Sequence, residues 1–174
     1  MITERSNIIQ ERYMLTPRPT FLRMWKEFTK IYGDGTIAIV GEMIGGKVQA
    51  NIELGATEPT QGFTNACAIR MSYCLNYSGV AIPRGEWKTV SGSDGNLYIY
   101  RVADLLKFLK YSFGKPDKTI KNPKVTDFDA RKGILVFNVN WSDASGHATL
   151  WNGSGCSDEC YFPLALEASI WELN

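Results

Sequence analysis

Apolar positions recur along this chain with two periods, and the change from one to the other divides it. After Thr20, a suitable N-cap, Phe21, Met24, Trp25 and Phe28 repeat at helical spacing until Gly33 and Gly35 interrupt. Residues 36–44 fit both a strand, by the propensity of Thr36, Ile37, Ile39 and Val40, and a helix, by the face that Ile37, Val40 and Ile44 share; the helix is preferred. Gly45 and Gly46 break it, a helix resumes over 47–51, and 55–64 reads as a polar loop. The clearest helix covers 65–76. Thr64 or Asn65 can cap it, Gly79 suits its exit, and only Arg70 carries charge, so it should be central and buried.

Beyond this helix the period shortens. Residues 91–95 form a turn, 97–101 a strand, and 103–113 an amphipathic helix stopped by Gly114 and Pro116. Residues 115–127 read as a polar loop. Strands follow at 134–141 and 147–151, joined by a hairpin over 142–146, with another turn at 152–155. Helices first, then a helix-decorated antiparallel sheet, gives an α+β class. A length of 174 residues suits a single domain spanning 1–174, with residues 1–18 peripheral.

Composition narrows the function. Apolar residues make up 44% and charged residues 21%, ordinary for a globular protein. A formal charge of +1 supplies no field favouring nucleic acid or an anionic membrane. No apolar run reaches the ~20 residues a membrane-spanning helix needs, and the first residues lack a signal-peptide core. Synthesis in the cytoplasm without a signal peptide is therefore expected, with no membrane and no nucleic-acid partner.

Candidate chemistry lies in few residues. Cys67 falls in the first turn of the central helix, where free amides stabilise a thiolate, the reactive form of cysteine. By itself it would more often be a small core residue. His147, the sole histidine, opens a strand near a hairpin. A helix-start cysteine with a later strand-borne histidine is the arrangement of papain-like enzymes, in which imidazole takes the thiol proton and then protonates the leaving amine. The imidazole needs an orienting group. Asp158, past the 152–155 turn, can fold back beside it; Asp143, in the hairpin, is the competitor. The backbone N–H of Cys67 is the expected oxyanion donor. Cys156 and Cys160 flank Asp158, and their spacing permits a disulfide; reduced, they and His147 are nominal zinc ligands lacking a convincing fourth. Cys74 and the aromatics Trp141, Trp151, Tyr161, Phe162 and Trp171 read mainly as core, one or two of the aromatics lining a groove, and the 55–64 loop as a groove wall.

Several separated segments agree in order with one family. Asn65-Ala-Cys-Ala-Ile-Arg-Met-Ser72 with Leu75-Asn76, then Gly146-His147, Leu150-Trp151-Asn152-Gly153 and Cys156-x-Asp158-x-Cys160, resemble type VI secretion amidase effector family four. Ile44-Gly-Gly46, Ser91 through Gly95, Tyr98-Ile99 and Arg101-Val102 resemble it too, so the likeness runs from about Pro19 to Leu173. It implies a papain-type, NlpC/P60-like fold and a peptidoglycan DL-endopeptidase cutting between D-glutamate and meso-diaminopimelate. Cys67, His147 and Asp158 take the catalytic positions, Cys156 and Cys160 form a disulfide, and no cofactor or metal is needed. The implied partners are the stem-peptide substrate, the type VI secretion machinery and a cognate immunity protein that occludes the cleft; the implied site of action is a rival cell's periplasm. The competing readings are a zinc-dependent hydrolase, a non-catalytic peptidoglycan-binding module, and a toxin acting on a cytoplasmic amide.

Overall fold

The computed structural model describes residues 15–139 and 146–174. Four helices come first: α1 (Phe21–Tyr32), α2 (Ile37–Ile44), α3 (Gly46–Thr57) and α4 (Cys67–Tyr77). A short hairpin, β1 (Thr89–Ser91) with β2 (Leu97–Ile99), leads to α5 (Val102–Phe113). Then come β3 (Lys118–Lys121), a 3-10 turn (Val125–Phe128), β4 (Gly133–Asn138), β5 (Gly146–Trp151) and β6 (Glu167–Glu172). The last four strands form one antiparallel sheet in the order β3-β6-β4-β5. The class is α+β, with helices leading into an antiparallel sheet.

Helix α4 is central because its sequence offers almost no polar face. Cys67, Ala68, Ile69, Met71, Tyr73, Cys74 and Leu75 are all buried. It packs against α1, β2 and β5. Its buried serine is satisfied twice over: Ser72 Oγ donates to Ala68 O at 2.8 Å and accepts from Ile99 N at 3.0 Å, which ties α4 to β2. Alternation along the strands divides the apolar residues. Ile134, Val136, Ala148 and Leu150 join the helices in a large cluster, while Leu135, Phe137, Trp151 and Ile170 build a second one with Phe128 and Phe162.

The loop before α4 is laid directly onto α3. Phe63 N donates to Asn51 O at 2.8 Å, and a Cβ on Gly62 would sit 2.0 Å from Gly55 N. Only two glycines permit that approach, so Gly55 and Gly62 fix the path by which the chain reaches Cys67.

Several sequence expectations shift. Helix α3 runs to Thr57, so the loop starts later than residue 55. Two strands, β1 and β6, appear where none was predicted, and β3 and the 3-10 turn occupy the stretch read as a polar loop over 115–127. The strand expected over 134–141 ends at Asn138. Trp141, Asp143 and the hairpin turn as far as residue 145 lie outside the described residues, as do residues 1–14. Thr16 N and the Arg18 guanidinium hydrogen-bond to the body at Ser112, Phe113, Asp117 and Glu172. No described helix is long and apolar enough to cross a membrane.

Candidate active site

Three segments distant in sequence converge on one cleft of about 540 Å³. Residues lining it include Asn65, Cys67 and Arg70 from the start of α4, His147 from β5, and Asp158 with Tyr161 beyond it. The cysteine and histidine foreseen from sequence therefore share one cleft, close enough for the sulfur to act electrostatically on the imidazole. Both are buried, at 3% and 6% exposure, so water reaches them only along the cleft.

Asp158 reaches His147 through a tight reversal. Asn152 Oδ1 accepts from Ser154 N and Gly155 N, Asn152 N donates to Gly155 O, and Gly153 adopts φ 101, which disfavours any side chain there. The returning chain then runs antiparallel beside β5, with a bridge between Trp151 and Cys156 and a bond from Ser157 N to Leu150 O at 2.8 Å. His147 Nε2 meets Asp158 Oδ1 at 3.1 Å. A disulfide between Cys156 and Cys160, Cα atoms 5.6 Å apart, closes a small ring around the aspartate. That bond consumes two thiols a zinc site would need, and among the described residues no cluster of three His, Cys, Asp or Glu side chains is placed to hold a metal.

The carboxylate can only accept from Nε2–H, so in the neutral ring Nδ1 is left as an acceptor toward Cys67. Burial by itself pushes the imidazole pKa down. Hydrogen bonds and charge from Asp158 and Cys67 together outweigh burial and raise it from 6.5 to about 9. The ring is thus a cation at neutral pH. It also packs edge-on to Tyr161, centroids 4.3 Å apart, whose phenol donates to Glu159 Oε2 at 3.0 Å. Burial, with Glu159 adding to it, pushes that phenol up to about 12, so it stays neutral.

A supporting relay escaped the sequence reading. Thr149 Oγ1 lies 2.6 Å from Asp158 Oδ1, 3.1 Å from Ser157 Oγ and 3.4 Å from Leu150 O. Its single proton goes to the nearest and charged acceptor. Ser157 Oγ then donates to Thr149 while accepting from Leu150 N at 3.0 Å. The aspartate is thus held by a chain of hydroxyls anchored on the β5 backbone. The available signal was the strand period: Thr149 is two residues from His147 and shares its face.

One expectation needs correcting. The Cys67 N–H, foreseen as a free oxyanion donor, donates to Asn65 Oδ1 at 2.9 Å. An N–H can only donate, so the amide oxygen must face it. The Asn65 NH2 group, which makes no hydrogen bond among the described residues, is left on the cleft wall. Of the 55–64 loop expected as a groove wall, only Thr64 lines this cleft; residues 59–65 with Val90, Tyr100 and Arg101 instead form an adjoining hollow of about 580 Å³, which shares Thr64 and Asn65 with it.

Residues 63–171 match the family described as type VI secretion system (T6SS), amidase effector protein 4. The crystal structure of a type VI effector–immunity complex, Tae4–Tai4, from Enterobacter cloacae is 40% identical; the match covers 91% of this chain and 100% of that one, with a TM-score of 0.83. The corresponding complex from Salmonella Typhimurium is 44% identical over 91% of this chain and 100% of that one, with a TM-score of 0.82. The Enterobacter cloacae effector alone is 40% identical over 92% of this chain and 100% of that one, at 0.82. No curated protein matches.

Proposed function

The chain belongs to the type VI secretion amidase effector protein 4 family, and from that premise we propose that it is a cysteine amidase. Its substrate is the γ-D-glutamyl–meso-diaminopimelate bond of peptidoglycan stem peptides, and its active centre is Cys67, His147 and Asp158. As a family member it is a hydrolase that a type VI system secretes into target cells. The finer reading is a papain-type, NlpC/P60-like catalytic domain spanning 1–174 that acts in the rival's periplasm. The relatives crystallised with Tai4 support a cognate immunity protein for this chain too, bound over the cleft.

The observation that carries the reading is the imidazole flanked by Cys67 and Asp158, with its pKa raised to about 9. A cation beside sulfur stabilises its anion. The Cys67 thiolate attacks the γ-carbonyl carbon of D-glutamate; a C–S bond forms and the carbonyl π pair moves to oxygen. The Asn65 amide on the cleft wall meets that oxyanion. The intermediate collapses, the C–N bond breaks, and His147 passes its proton to the departing amine. Water then attacks the thioester, giving His147 a proton, and the free carboxyl and the thiolate are regenerated. Asp158 keeps Nε2–H pinned so that Nδ1 serves throughout.

Digestion of purified sacculi by the wild type and Cys67→Ala, with muropeptides identified by mass, tests this. New amine termini on diaminopimelate with the wild type and none with the variant are expected. Residual cleavage by Cys67→Ala removes the nucleophile assignment. Binding without new termini favours a non-catalytic module, and loss of activity to a chelator favours a metal hydrolase.

A further inference from the structure

We propose that Arg70 forms the subsite that receives the free carboxylate on the acyl side of the scissile bond, an inference that rests on the amidase reading above. Arg70 lines the catalytic cleft one helical turn beyond Cys67, on the same face of α4. Its guanidinium is fixed in place. Nη2 donates to Gly35 O at 3.1 Å and contacts Thr36 O at 3.5 Å, and the group sits 5.4 Å from the centroid of the Tyr32 ring. Yet its charge is unanswered. Among the described residues no carboxylate lies within ion-pair distance of it, whereas Arg18 pairs with Asp117 and Arg131 with Glu172. Nε is buried with no partner, and Nη1 makes no hydrogen bond among the described residues. Tying two backbone carbonyls occupies a single nitrogen of the fork. A half-buried cation left uncompensated in a cleft is costly unless a ligand completes it.

The spacing suits one carboxylate. Residues three apart on a helix have Cβ atoms about 5–6 Å apart. In a γ-linked D-glutamyl residue the free α-carboxyl carbon is separated from the scissile carbonyl carbon by three carbons, roughly 5 Å when extended, given C–C bonds of ~1.5 Å. A substrate whose carbonyl carbon faces Cys67 carries its α-carboxylate into the same cleft that Arg70 lines, and the guanidinium fork is shaped for bidentate binding of carboxylates. An α-linked glutamyl residue holds its side-chain carboxylate at the same separation, so this contact selects a glutamyl residue on the acyl side and leaves the choice of linkage to the rest of the cleft.

The test uses the intact protein and three synthetic stem peptides. One carries both free carboxyls, one has the D-glutamyl α-carboxyl amidated, and one has the diaminopimelate carboxyl beside the cleaved bond amidated. Wild type should lose about 10- to 100-fold in kcat/KM on the second peptide, mostly through KM, and far less on the third. Arg70→Gln should cleave the first two equally, and Arg70→Lys should restore part of the discrimination. Equal wild-type rates on the first two peptides overturn the inference without any variant being made. So does discrimination that follows the diaminopimelate carboxyl, or discrimination that persists in Arg70→Gln. If wild type cleaves none of the three, the amidase reading itself has failed and this subsite falls with it.

Discussion

Thr149→Val is the sharpest probe of how the candidate site is held. The side chain is fully buried and valine matches its shape, so the substitution removes one hydroxyl and little else. That hydroxyl makes the 2.6 Å bond to Asp158 and receives the Ser157 proton. A hydrogen bond to a charged acceptor contributes about 1.5–3 kcal/mol, and losing it leaves a buried carboxylate with a single donor on Oδ1 and strands Ser157 Oγ–H. Stability should fall by about 2 kcal/mol, which lowers Tm by roughly 4–8 °C in a chain of this size. Asp158 then loosens, and with it the ring that must keep Nδ1 toward Cys67. Assayed well below the lowered Tm on a defined stem peptide, kcat should drop by about 10-fold with KM little changed. Thr149→Ser retains the hydroxyl and should keep most of the rate. Wild-type kcat in Thr149→Val would refute the idea that the hydroxyl relay positions the aspartate.

The raised imidazole pKa makes stability depend on pH. Because the folded value of about 9 exceeds 6.5, the native state holds the proton more tightly, and the resulting stability is complete below ~6.5 and lost as pH rises through 9. About 3 kcal/mol should disappear across that window in the wild type and much less in His147→Gln, as read by thermal melts at each pH. Replacing Cys156 and Cys160 together by Ser opens the ring around Asp158. Chain entropy for so small a loop gives about 2 kcal/mol, so Tm should fall by a few degrees and turnover should fall with it; unchanged turnover would mean that the turn alone holds the aspartate. Asn65→Asp keeps an acceptor for the Cys67 N–H but removes the amide donors. It should melt like the wild type yet lose about 100-fold in kcat, and full activity would reduce Asn65 to a cap.

What the sequence made legible was local. Thr20 caps α1 as read, with Arg23 N donating to its hydroxyl at 3.4 Å, and the run over 65–76, charged only at Arg70, holds most of the central helix, Cys67–Tyr77. The turn at Asn152 could be read because its chemistry resides in adjacent residues. What stayed hidden depends on partners remote in the chain. Strand β6 carries glutamates at both ends and alternates Ala168 and Ile170 with Ser169 and Trp171; these pack on opposite faces, so no clean period appears. It exists because β3 and β4 both pair with it. Likewise Lys118–Lys121 looks like a loop by composition and becomes a strand through pairing with β6. In the candidate site, residue types foretold Cys67, His147 and Asp158, which the fold brings into one cleft. The strand period puts Thr149 on the face of His147, but its partners depend on the fold-back that brings Ser157 and Asp158 alongside, which no local pattern announces.

The start of α4 faces conflicting demands, and Asn65 bears on both. At rest, the first N–H groups of a helix need acceptors, since a buried unpaired donor costs about 1–3 kcal/mol. In the proposed mechanism those donors must also be available to a developing oxyanion. Ala66, the residue at the N-cap position, offers no side chain, so the acceptor comes from one residue earlier, as Asn65 Oδ1 on Cys67 N. A serine or aspartate at 65 would satisfy the resting helix equally well. Only an amide also brings N–H donors of its own, already oriented by the bond its oxygen makes. The oxyanion can therefore be met without first stripping the helix start of its acceptor, and the barrier need not include that step. The proposed chemistry thus accounts for asparagine at 65, where capping alone would leave the choice among several residues open.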